Sequence, residues 1–446
     1  MAQSNEVLEK MIAEVMKYDY VRFSFADMNC ISRGKLMPAR NASLYLEDGV
    51  TMYAGVVVLG PHSECVVPPR VEAMQSGNMS IIPDLDTLHP VPWMGMGKYR
   101  VGELLCETYW LDDTHQDACP RYVARRQVDR LSEMGYSIYS GFELEFHMSC
   151  LETKQPLFHD KDYMCNRTVA RNERLFLDME KYLLDAGVDI DMLHTEHGAG
   201  MMEGVLRPKY GIKSPDMTFI FIQGILEMAD KNGYLANFMS KRDMNDDGNG
   251  LHFSHSVYEK HTGKNVFYDP TKPDNLSDLA KHWVAGLIKH SGAMAALLCP
   301  TVNCYRRLFR AWAPGKVFWG IENRYAAYRA KNKGSKYTYL ENRISGGKAN
   351  PYLVFAATVA AGLDGIINKL ECPAPNDEES AKDLPHSLSS ALAELEADAV
   401  IVDALSEEFV SWYVQNKTEV DINILEGPNA PKDDVAKLNA ETLMYC

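Results

Sequence analysis

The chain has 446 residues, of which 46% are apolar and 24% charged, and its formal net charge is −15 at pH 7. This composition is typical of a globular protein, and no run of about 18 apolar residues predicts a membrane span. The acidic balance and the absence of a long basic run argue against nucleic acid and membranes as partners. The N-terminal residues follow an amphipathic helix pattern and lack the features of a signal peptide, so we expect a cytoplasmic protein.

The first hundred residues alternate strand-like runs with turns. Strands are predicted over 20–26, 51–58 and 79–82, and a stretch rich in proline and glycine follows at 89–102. This pattern predicts a small N-terminal domain that contains a β-sheet. A larger domain is expected to begin close to residue 110.

Helices and strands alternate in the larger domain. A helix pattern begins after Pro120 and stops at Gly135, and it leads into an alternating strand over 137–148. Further helices are predicted over 171–186, 216–232, 276–297 and 352–369.

The alternating strand carries two glutamates on one face. Strand periodicity places Glu143 and Glu145 together, with Phe142, Leu144 and Phe146 on the opposite face. Like charges this close repel each other unless a cation or several donors lie between them, so the pattern indicates a metal site. A solvated polar face explains the same two residues when the segment is taken alone.

Two later segments combine acids and imidazoles with glycine turns. Glu196 and Glu203 flank a glycine-containing turn that can fold them toward one point. A glycine-rich turn at 247–250 leads into a strand on which His252 and Ser254 share one face. A charged loop and a structural histidine remain the alternatives for these segments taken singly.

A fourth segment alternates an acid and a base. Glu341 and Arg343 share one face of a predicted strand, and Ala-Asn-Pro-Tyr follows at 349–352. In their order and spacing, the four segments resemble the glutamine synthetase superfamily. Its motifs are a Glu-x-Glu strand, two glutamates separated by six residues, a Gly-x-Gly-x-His strand, an Asn-Arg segment and a Glu-x-Arg strand before Ala-Asn-Pro-Tyr. The matches extend over roughly residues 110–370, and CPRYVARRQ and ANPYLVFAATVAAGLDGI are most similar to the lengsin branch, whose lens members are regarded as non-enzymatic.

The resemblance implies two sites for Mg²⁺ or Mn²⁺ and a site for ATP. The implied ligands are Glu145, Glu196 and Glu203 for the first metal and Glu143, His252 and Glu341 for the second. The implied substrate-binding residues are Arg307, Arg343, Gly248 and Asp247, and the implied catalytic residues are Arg324, Arg343 and Trp312. The implied nucleotide-binding residues are Arg329, Lys336, Ser254 and Ser256.

The groups that handle ammonium depart from the family pattern. The family flap reads Tyr-Glu-Ala-Pro, whereas this chain reads Arg-Ala-Trp-Ala-Pro over 310–314 and places Trp312 where the glutamate stands. The ammonium-binding aspartate is also missing near Tyr53. Because a cation is attracted and deprotonated by carboxylates, efficient use of ammonium is not expected.

The nucleotide and amino-acid sides are altered as well. Ser254 stands where the family has a second histidine, and Tyr339 stands where it has an arginine that contacts ATP. Asp247 replaces an asparagine that lines the amino-acid site, and its charge suits an amino group better than a carboxylate.

Two functions therefore remain open. One is an ATP-dependent carboxylate–amine ligase that transfers a γ-glutamyl group through an acyl phosphate, and the other is a lengsin-like structural or binding protein without catalysis. The resemblance implies an α+β fold, with a β-grasp domain over 1–108 and a catalytic domain of curved antiparallel sheet with helices over 109–446. It also implies a homo-oligomer of two stacked hexameric rings, with segment 51–56 acting on a neighbouring subunit.

Overall fold

The computed structural model describes residues 2–158 and 162–445. The strands of the first part of the chain are β1 Tyr20–Ala26, β2 Ser32–Pro38, β3 Val50–Tyr53, β4 Asn78–Pro83, β5 His89–Pro90 and β6 Val101–Tyr109. The later strands are β7 Tyr136–Cys150, β8 Ile190–Thr195, β9 Met201–Leu206, β10 Lys209–Tyr210, β11 Tyr234–Asn237, β12 Leu251–Glu259, β13 Trp319–Ile321, β14 Tyr328–Asn332 and β15 Thr338–Asn342.

The helices cover the sheets and form most of the C-terminal region. They are α1 Ala2–Val15, α2 Ala39–Ala42, α3 Pro69–Ala73, α4 Pro120–Glu133, α5 Asn166–Arg171, α6 Glu173–Asp185, α7 Lys213–Lys231, α8 Asp278–Lys289, α9 Ser291–Leu298, α10 Pro351–Ile367, α11 Leu388–Ala397, α12 Ala399–Leu405, α13 Glu407–Asn416, α14 Asn423–Leu425 and α15 Asp434–Tyr445. Within the described ranges, no helix is both long and apolar enough to cross a membrane.

The strands form two sheets. The first has the order β2-β1-β6-β4-β3, with β5 added beside β6, and its central pair β1 and β6 is parallel. The second has the order β13-β14-β15-β12-β7-β9-β8, and β10 and β11 also pair with β7. All of its pairs are antiparallel except β13 with β14. The predicted α+β class is confirmed, whereas the division of the chain at residues 108 and 109 stays a prediction.

The core extends from the first sheet to the second, beneath which helix α10 is buried on nearly every side. Small residues in α10 allow neighbouring helices to approach closely, and α10 contacts both α4 and α8. Asn350 caps this helix, since its side chain accepts a hydrogen bond from the amide of Tyr352. The apolar face of β7 rests on this core, so its polar face is directed away from it.

Three predicted elements differ from the structure. The predicted strand over 51–58 ends at Tyr53 and continues as a 3₁₀-helix, Ala54–Val58, whose buried residues do not alternate. The predicted helix over 276–297 is broken at His290, whose ring is hydrogen-bonded to Asp364 and Asp398 at 2.9 and 2.6 Å. The predicted helix over 171–186 begins only at Glu173, after a break from α5.

Candidate active site

The polar face of the second sheet gathers the predicted acidic residues through strand register. Glu143 of β7 lies opposite His252 of β12, and Glu145 lies opposite Glu203 of β9. On the far side of β12, Ser254 pairs with Glu341 of β15. Four strands therefore bring residues that are distant in sequence onto one surface.

The opposite face of β7 explains why this register is fixed. Phe142, Leu144 and Phe146 are at most 1% exposed. The ring of Phe142 lies 4.6 Å from that of Phe253, and the ring of Phe146 lies 5.1 Å from that of Phe238. A shift by one residue would bury the glutamates and expose these rings, so the apolar face holds the acidic face in place.

The first cluster of ligand-type groups contains Glu143, His252 and Glu341. One ligand atom from each lies within 4.8 Å of the others. Nδ1 of His252 is 3.8 Å from the Glu143 carboxylate and 3.7 Å from the Glu341 carboxylate. Burial, followed by the charge of Arg343, lowers the pKa of His252 to about 4, so the imidazole is neutral and able to donate a lone pair. The structure brings together all three residues predicted for the second metal.

The second cluster contains His194, Glu196 and Glu203, again with ligand atoms within 4.8 Å of one another. His194 lies opposite Glu203 in the β8–β9 pair. His194 was not predicted as a ligand from the sequence, although it precedes Glu196 by two residues, which is the spacing of one strand face. Glu145, predicted in its place, lies opposite Glu203 and accepts a hydrogen bond from the amide of Gly250.

The electrostatics of these clusters favour a bound cation. Burial, followed by the charges of Glu145, Glu143 and Glu196, raises the pKa of Glu203 to about 10. Burial also raises the pKa of Glu196. Each cluster offers two carboxylates and one imidazole, which is the oxygen-rich donor set that Mg²⁺ and Mn²⁺ prefer. The residues present therefore fit the metals that the resemblance implies.

Two buried arginines contact the first cluster. Arg343 forms an ion pair with Glu341, and it also donates to the backbone carbonyl groups of Arg324 at 3.1 Å and Trp312 at 3.4 Å. Arg329 lies 3.1 Å from Glu341 and 2.8 Å from Glu322. These contacts connect the acidic surface to the loop that carries Trp312.

A third arginine lies beside the glycine-rich turn. Arg307 is 4% exposed, and its guanidinium donates to the carbonyl groups of Ile344 at 3.1 Å and Arg343 at 3.4 Å. A β-carbon at Gly248 would lie 2.4 Å from the carbonyl oxygen of Ser240 and 3.2 Å from the Arg307 side chain. The glycine therefore lets this turn approach the arginine closely.

Asp247, the acidic replacement in that turn, forms a hydrogen-bonded pair with the ring of His197. His197 follows Glu196 directly, so this contact joins the glycine-rich turn to the loop that carries a candidate metal ligand. The neighbouring Asp246 accepts a hydrogen bond from the amide of Ala199 at 3.1 Å in the same loop. The two loops are thus held together next to the second cluster.

Trp312 lies at the exposed rim of the site. Its indole is 56% exposed and stacks on the ring of Tyr325, with centroids 6.0 Å apart and planes 15° apart. Its backbone has a φ of 67°, in the left-handed region that tryptophan seldom adopts and that is often found at functional sites. Arg324, next to Tyr325, is also exposed. Tyr325 was not predicted from the sequence because no family motif marks it.

The predicted nucleotide-side residues are more scattered. Ser254 lies 3.4 Å from the Glu143 carboxylate, and Ser256 follows on the same face of β12 but is buried. Lys336 lies in an exposed 3₁₀ turn, Ser335–Tyr337. Burial, followed by the charges of Glu143 and Glu341, raises the pKa of Tyr339 to about 12.

Known proteins share the fold of this chain and are similar to it in sequence over most of its length. A solved structure described as a novel glutamine synthase homolog superposes with a TM-score of 0.83, at 25% identity, and the match covers 95% of this chain and 98% of that chain. A glutamine synthetase of Thermotoga maritima is 31% identical over 423 residues, which are 91% of this chain and 93% of the relative.

Two further relatives differ in what their names describe. Human lengsin is 29% identical over 416 residues, which are 90% of this chain and 80% of the relative. A glutamate–isopropylamine ligase of a Pseudomonas species is 30% identical over 358 residues, which are 76% of this chain and 77% of the relative. The family model described as the catalytic domain of glutamine synthetase matches residues 117–428. The chain belongs to the glutamine synthetase family.

Proposed function

We propose that this protein is an ATP-dependent ligase that activates the γ-carboxylate of glutamate and joins it to an amine larger than ammonia. The observation that carries the proposal is the pair of ligand clusters on neighbouring strands, Glu143–His252–Glu341 and His194–Glu196–Glu203. Glutamine synthetases generally use ATP and divalent metals. A carboxylate surface of this kind is costly to maintain without cations, so its presence favours a metal-dependent function.

The residues of both clusters, together with Glu145, would hold two Mg²⁺ or Mn²⁺ ions. When bound, the ions would neutralise negative charge on the nucleotide phosphates and on the phosphoryl group being transferred. Metal binding also requires neutral imidazoles, and burial lowers the pKa of both His252 and His194.

The chain's own cations would orient the other reactants. Arg307 and Arg343 present guanidinium groups that suit the carboxylates of glutamate, and Gly248 lets the glycine-rich turn pack directly beside Arg307. Asp247 would accept a hydrogen bond from the substrate amino group. Arg324 would stabilise charge on the transferred phosphoryl group.

The remaining predicted residues would lie along the nucleotide. Arg329, Lys336, Ser254 and Ser256 form this proposed set. Arg329 meets Glu341 and Glu322 in the structure, so nucleotide binding would require it to exchange at least one of these partners.

The proposed amine site lies at the rim formed by Trp312 and Tyr325. Stacked, exposed rings offer an apolar surface for an alkyl or aryl group, whereas ammonium has no such group to bury. The name of the Pseudomonas relative describes an enzyme that uses isopropylamine. With Trp312 and Tyr53 in place of carboxylates, we expect little glutamine from glutamate and ammonium.

The proposed assembly is a cytoplasmic homo-oligomer of two stacked hexamers, built from domains that meet at residues 108 and 109. In such an assembly, segment 51–56 of one subunit would contact the site of its neighbour. Sedimentation of the purified chain at micromolar concentration tests this point, since a 50.2 kDa monomer would contradict it.

The test of activity is an ADP-release assay with ATP, L-glutamate and a panel of amines, run separately with Mg²⁺ and Mn²⁺. The panel contains ammonium, methylamine, isopropylamine and aniline. We expect ADP release that requires both L-glutamate and an organic amine, with a γ-glutamyl amide as the second product. Glu341→Gln should remove the activity, and Glu379→Gln, at an exposed position, should leave it intact.

A lengsin-like role without catalysis is the second candidate. It is favoured by the altered nucleotide side, where Tyr339 lies near the carboxylates and Arg329 is already paired, and by the similarity to lengsin. Mn²⁺ binding without amine-dependent ADP release above the Glu341→Gln background would support this candidate over the ligase.

A further inference from the structure

The C-terminal helix α15 carries a buried carboxylate that does not belong to the proposed active site. Glu441 is 0% exposed. Its carboxylate accepts a hydrogen bond from the side-chain amide of Asn303 at 2.9 Å and lies 3.3 Å from Nε of Arg306. A buried carboxylate is a costly anchor for a helix compared with an apolar side chain, so its partners are the informative feature.

Asn303 connects Glu441 to the glycine-rich turn. Its side-chain oxygen accepts the amide of Lys241 at 2.7 Å, and its side-chain nitrogen donates to the carbonyl group of Lys241 at 2.9 Å. Lys241 begins the loop that ends where the amide of Asn249 donates to the carbonyl group of Ser240 at 3.0 Å. The side chain of Lys241 also reaches the carbonyl group of Asp246 within the loop.

Arg306 connects the same carboxylate to Arg307. Residues Val302–Arg306 form a 3₁₀-helix, and Arg307 is its C-cap. Arg307 then extends its side chain toward Gly248 and Gly250. The Glu441 carboxylate therefore holds the 3₁₀-helix that ends at Arg307. Through Asn303 it also holds the loop that carries Asp247 and Gly248.

We infer that Glu441 is a positioning residue that fixes the two walls of the amino-acid pocket relative to each other. This inference rests on the proposed function in taking that pocket to bind an amino acid. Asn303 loses one of its two acceptors when the carboxylate is removed, so its side chain is held less firmly and its contact with Lys241 loosens. A displacement of about 1 Å caused by a remote substitution can cost roughly a hundredfold in rate, so an anchor that does not touch the substrate can still determine how well the pocket functions.

The test compares Glu441→Leu with Tyr445→Phe. Leucine keeps the helix apolar and removes the acceptor that Asn303 and Arg306 share, while Arg306 keeps Asp434 at 3.3 Å. The phenylalanine variant removes a different anchor of the same helix, the hydrogen bond from Tyr445 to Asp421. Glu441→Gln is the conservative variant, since its amide oxygen still accepts a hydrogen bond and should restore part of the effect.

The first readout is amide hydrogen exchange over residues 241–249, and the second is calorimetry with L-glutamate and with Mn²⁺. We expect Glu441→Leu to accelerate exchange in this loop at least tenfold and to weaken L-glutamate binding at least tenfold, with Mn²⁺ affinity changed less than twofold. Tyr445→Phe should change the exchange rate, the L-glutamate affinity and the Mn²⁺ affinity by less than twofold. Equal exchange in the two variants would overturn the inference, because both would then only loosen the helix.

The two proposals fail in different ways. If the wild-type chain does not bind L-glutamate, the proposed substrate is wrong, and hydrogen exchange still decides whether Glu441 positions the loop. If Glu441→Leu does not fold, Asn303→Ala breaks the same link between Glu441 and Lys241 at its middle residue. Glu441 then keeps Arg306 as a partner. Unchanged exchange over 241–249 in Asn303→Ala would equally overturn the inference.

Discussion

Two groups of buried charged residues in this protein differ in how far their positive charges balance their negative charges. The bridging network contains two guanidinium groups and three carboxylates, namely Arg121, Arg125, Asp84, Glu107 and Asp216. The acid cluster contains Glu143, Glu145, Glu196, Glu203 and Glu341. In the network, Arg121 contacts three carboxylates at 2.8 to 3.0 Å and Arg125 contacts two of them at 2.6 to 2.7 Å. In the cluster, Arg329 and Arg343 both contact Glu341.

The difference is visible in how each environment shifts the pKa values of its carboxyl groups. Burial alone would raise the pKa of Asp84, but Arg121 and Arg125 outweigh it and the pKa is lowered. Burial raises the pKa of Glu203 to about 10, and Glu145, Glu143 and Glu196 add to the effect. The network is complete within the protein, whereas the cluster lacks positive charge that a metal ion would supply. The first group therefore serves the fold, whereas the second is suited to the metal binding proposed for it.

The largest effect should come from removing the central cation of the bridging network. Arg121→Met leaves Glu107 and Asp216 buried with fewer partners, so we expect a loss of about 3–5 kcal/mol in the free energy of unfolding. Urea denaturation at pH 7 measures it. Arg100→Met is the matched control, because Arg100 forms an exposed pair with Asp19 and should matter little. Equal stability of the two variants would mean that the network does not stabilise the fold.

Removing a carboxyl group from the acid cluster should act differently. The raised pKa of about 10 keeps Glu203 protonated in the metal-free protein at pH 7, so Glu203→Gln replaces one neutral group by another and should leave that form about as stable as the wild type. The wild type should gain about 2.7 kcal/mol at a Mn²⁺ concentration of 100 times Kd, and the variant should lose most of this gain. Thermal unfolding with and without Mn²⁺ measures both effects, with Glu379→Gln as an exposed control. A variant that keeps the full Mn²⁺ effect would place the metal elsewhere.

His194, which lies beside Glu196 and Glu203 of the acid cluster, sharpens the comparison. If it is a ligand together with Glu196 and Glu203, His194→Gln should weaken Mn²⁺ binding about tenfold, which corresponds to about 1.4 kcal/mol. Calorimetric titration measures the affinity, and His261→Gln serves as the exposed control. A larger loss in Glu145→Gln together with no loss in His194→Gln would restore the ligand set expected from the sequence.

All five glutamates of the acid cluster could be predicted from the sequence, because strand alternation and family motifs marked them. Alternation places Glu143 and Glu145 on one face, but it does not reveal which strand lies beside them. The contact of Glu203 with His194 depends on the register of β8 and β9, which many distant residues determine together. His194 was therefore missed even though its spacing from Glu196 was visible.

The bridging network and Glu441 could not be predicted in the same way. Arg121 lies in α4, and its partners lie in segments far apart in the chain, so no local pattern signals their contact. The broken helix at His290 has a similar cause, since the two aspartates that bind its ring come from α10 and from the residue before α12. Local propensity favoured one continuous helix, and tertiary hydrogen bonds accompany the break.

The smallest expected effect is the pH dependence of the stability of Asp84→Asn. It separates the contribution of charge from that of hydrogen-bond geometry in the bridging network. The asparagine can still cap the turn Leu85–Thr87, so the change removes mainly the charge that Arg121 and Arg125 face. Asp84 is partly exposed, and water screens its ion pairs, so we expect a cost of about 1 kcal/mol at pH 7.

The sign of the pH effect follows from the lowered pKa of Asp84. A carboxyl group whose pKa is lower in the folded state stabilises the fold above its unfolded pKa of 3.8, and this stabilisation is lost as the pH falls through the folded value. The difference between wild type and Asp84→Asn should therefore begin to narrow below about pH 4 and continue to narrow as the pH falls through the folded value. Urea midpoints at pH 7, 5 and 3.5 measure it, with Asp86→Asn in the same turn as the exposed control. A cost that stays constant over this range would assign the role of Asp84 to hydrogen-bond geometry, and the contrast with the acid cluster would then not be one of charge balance.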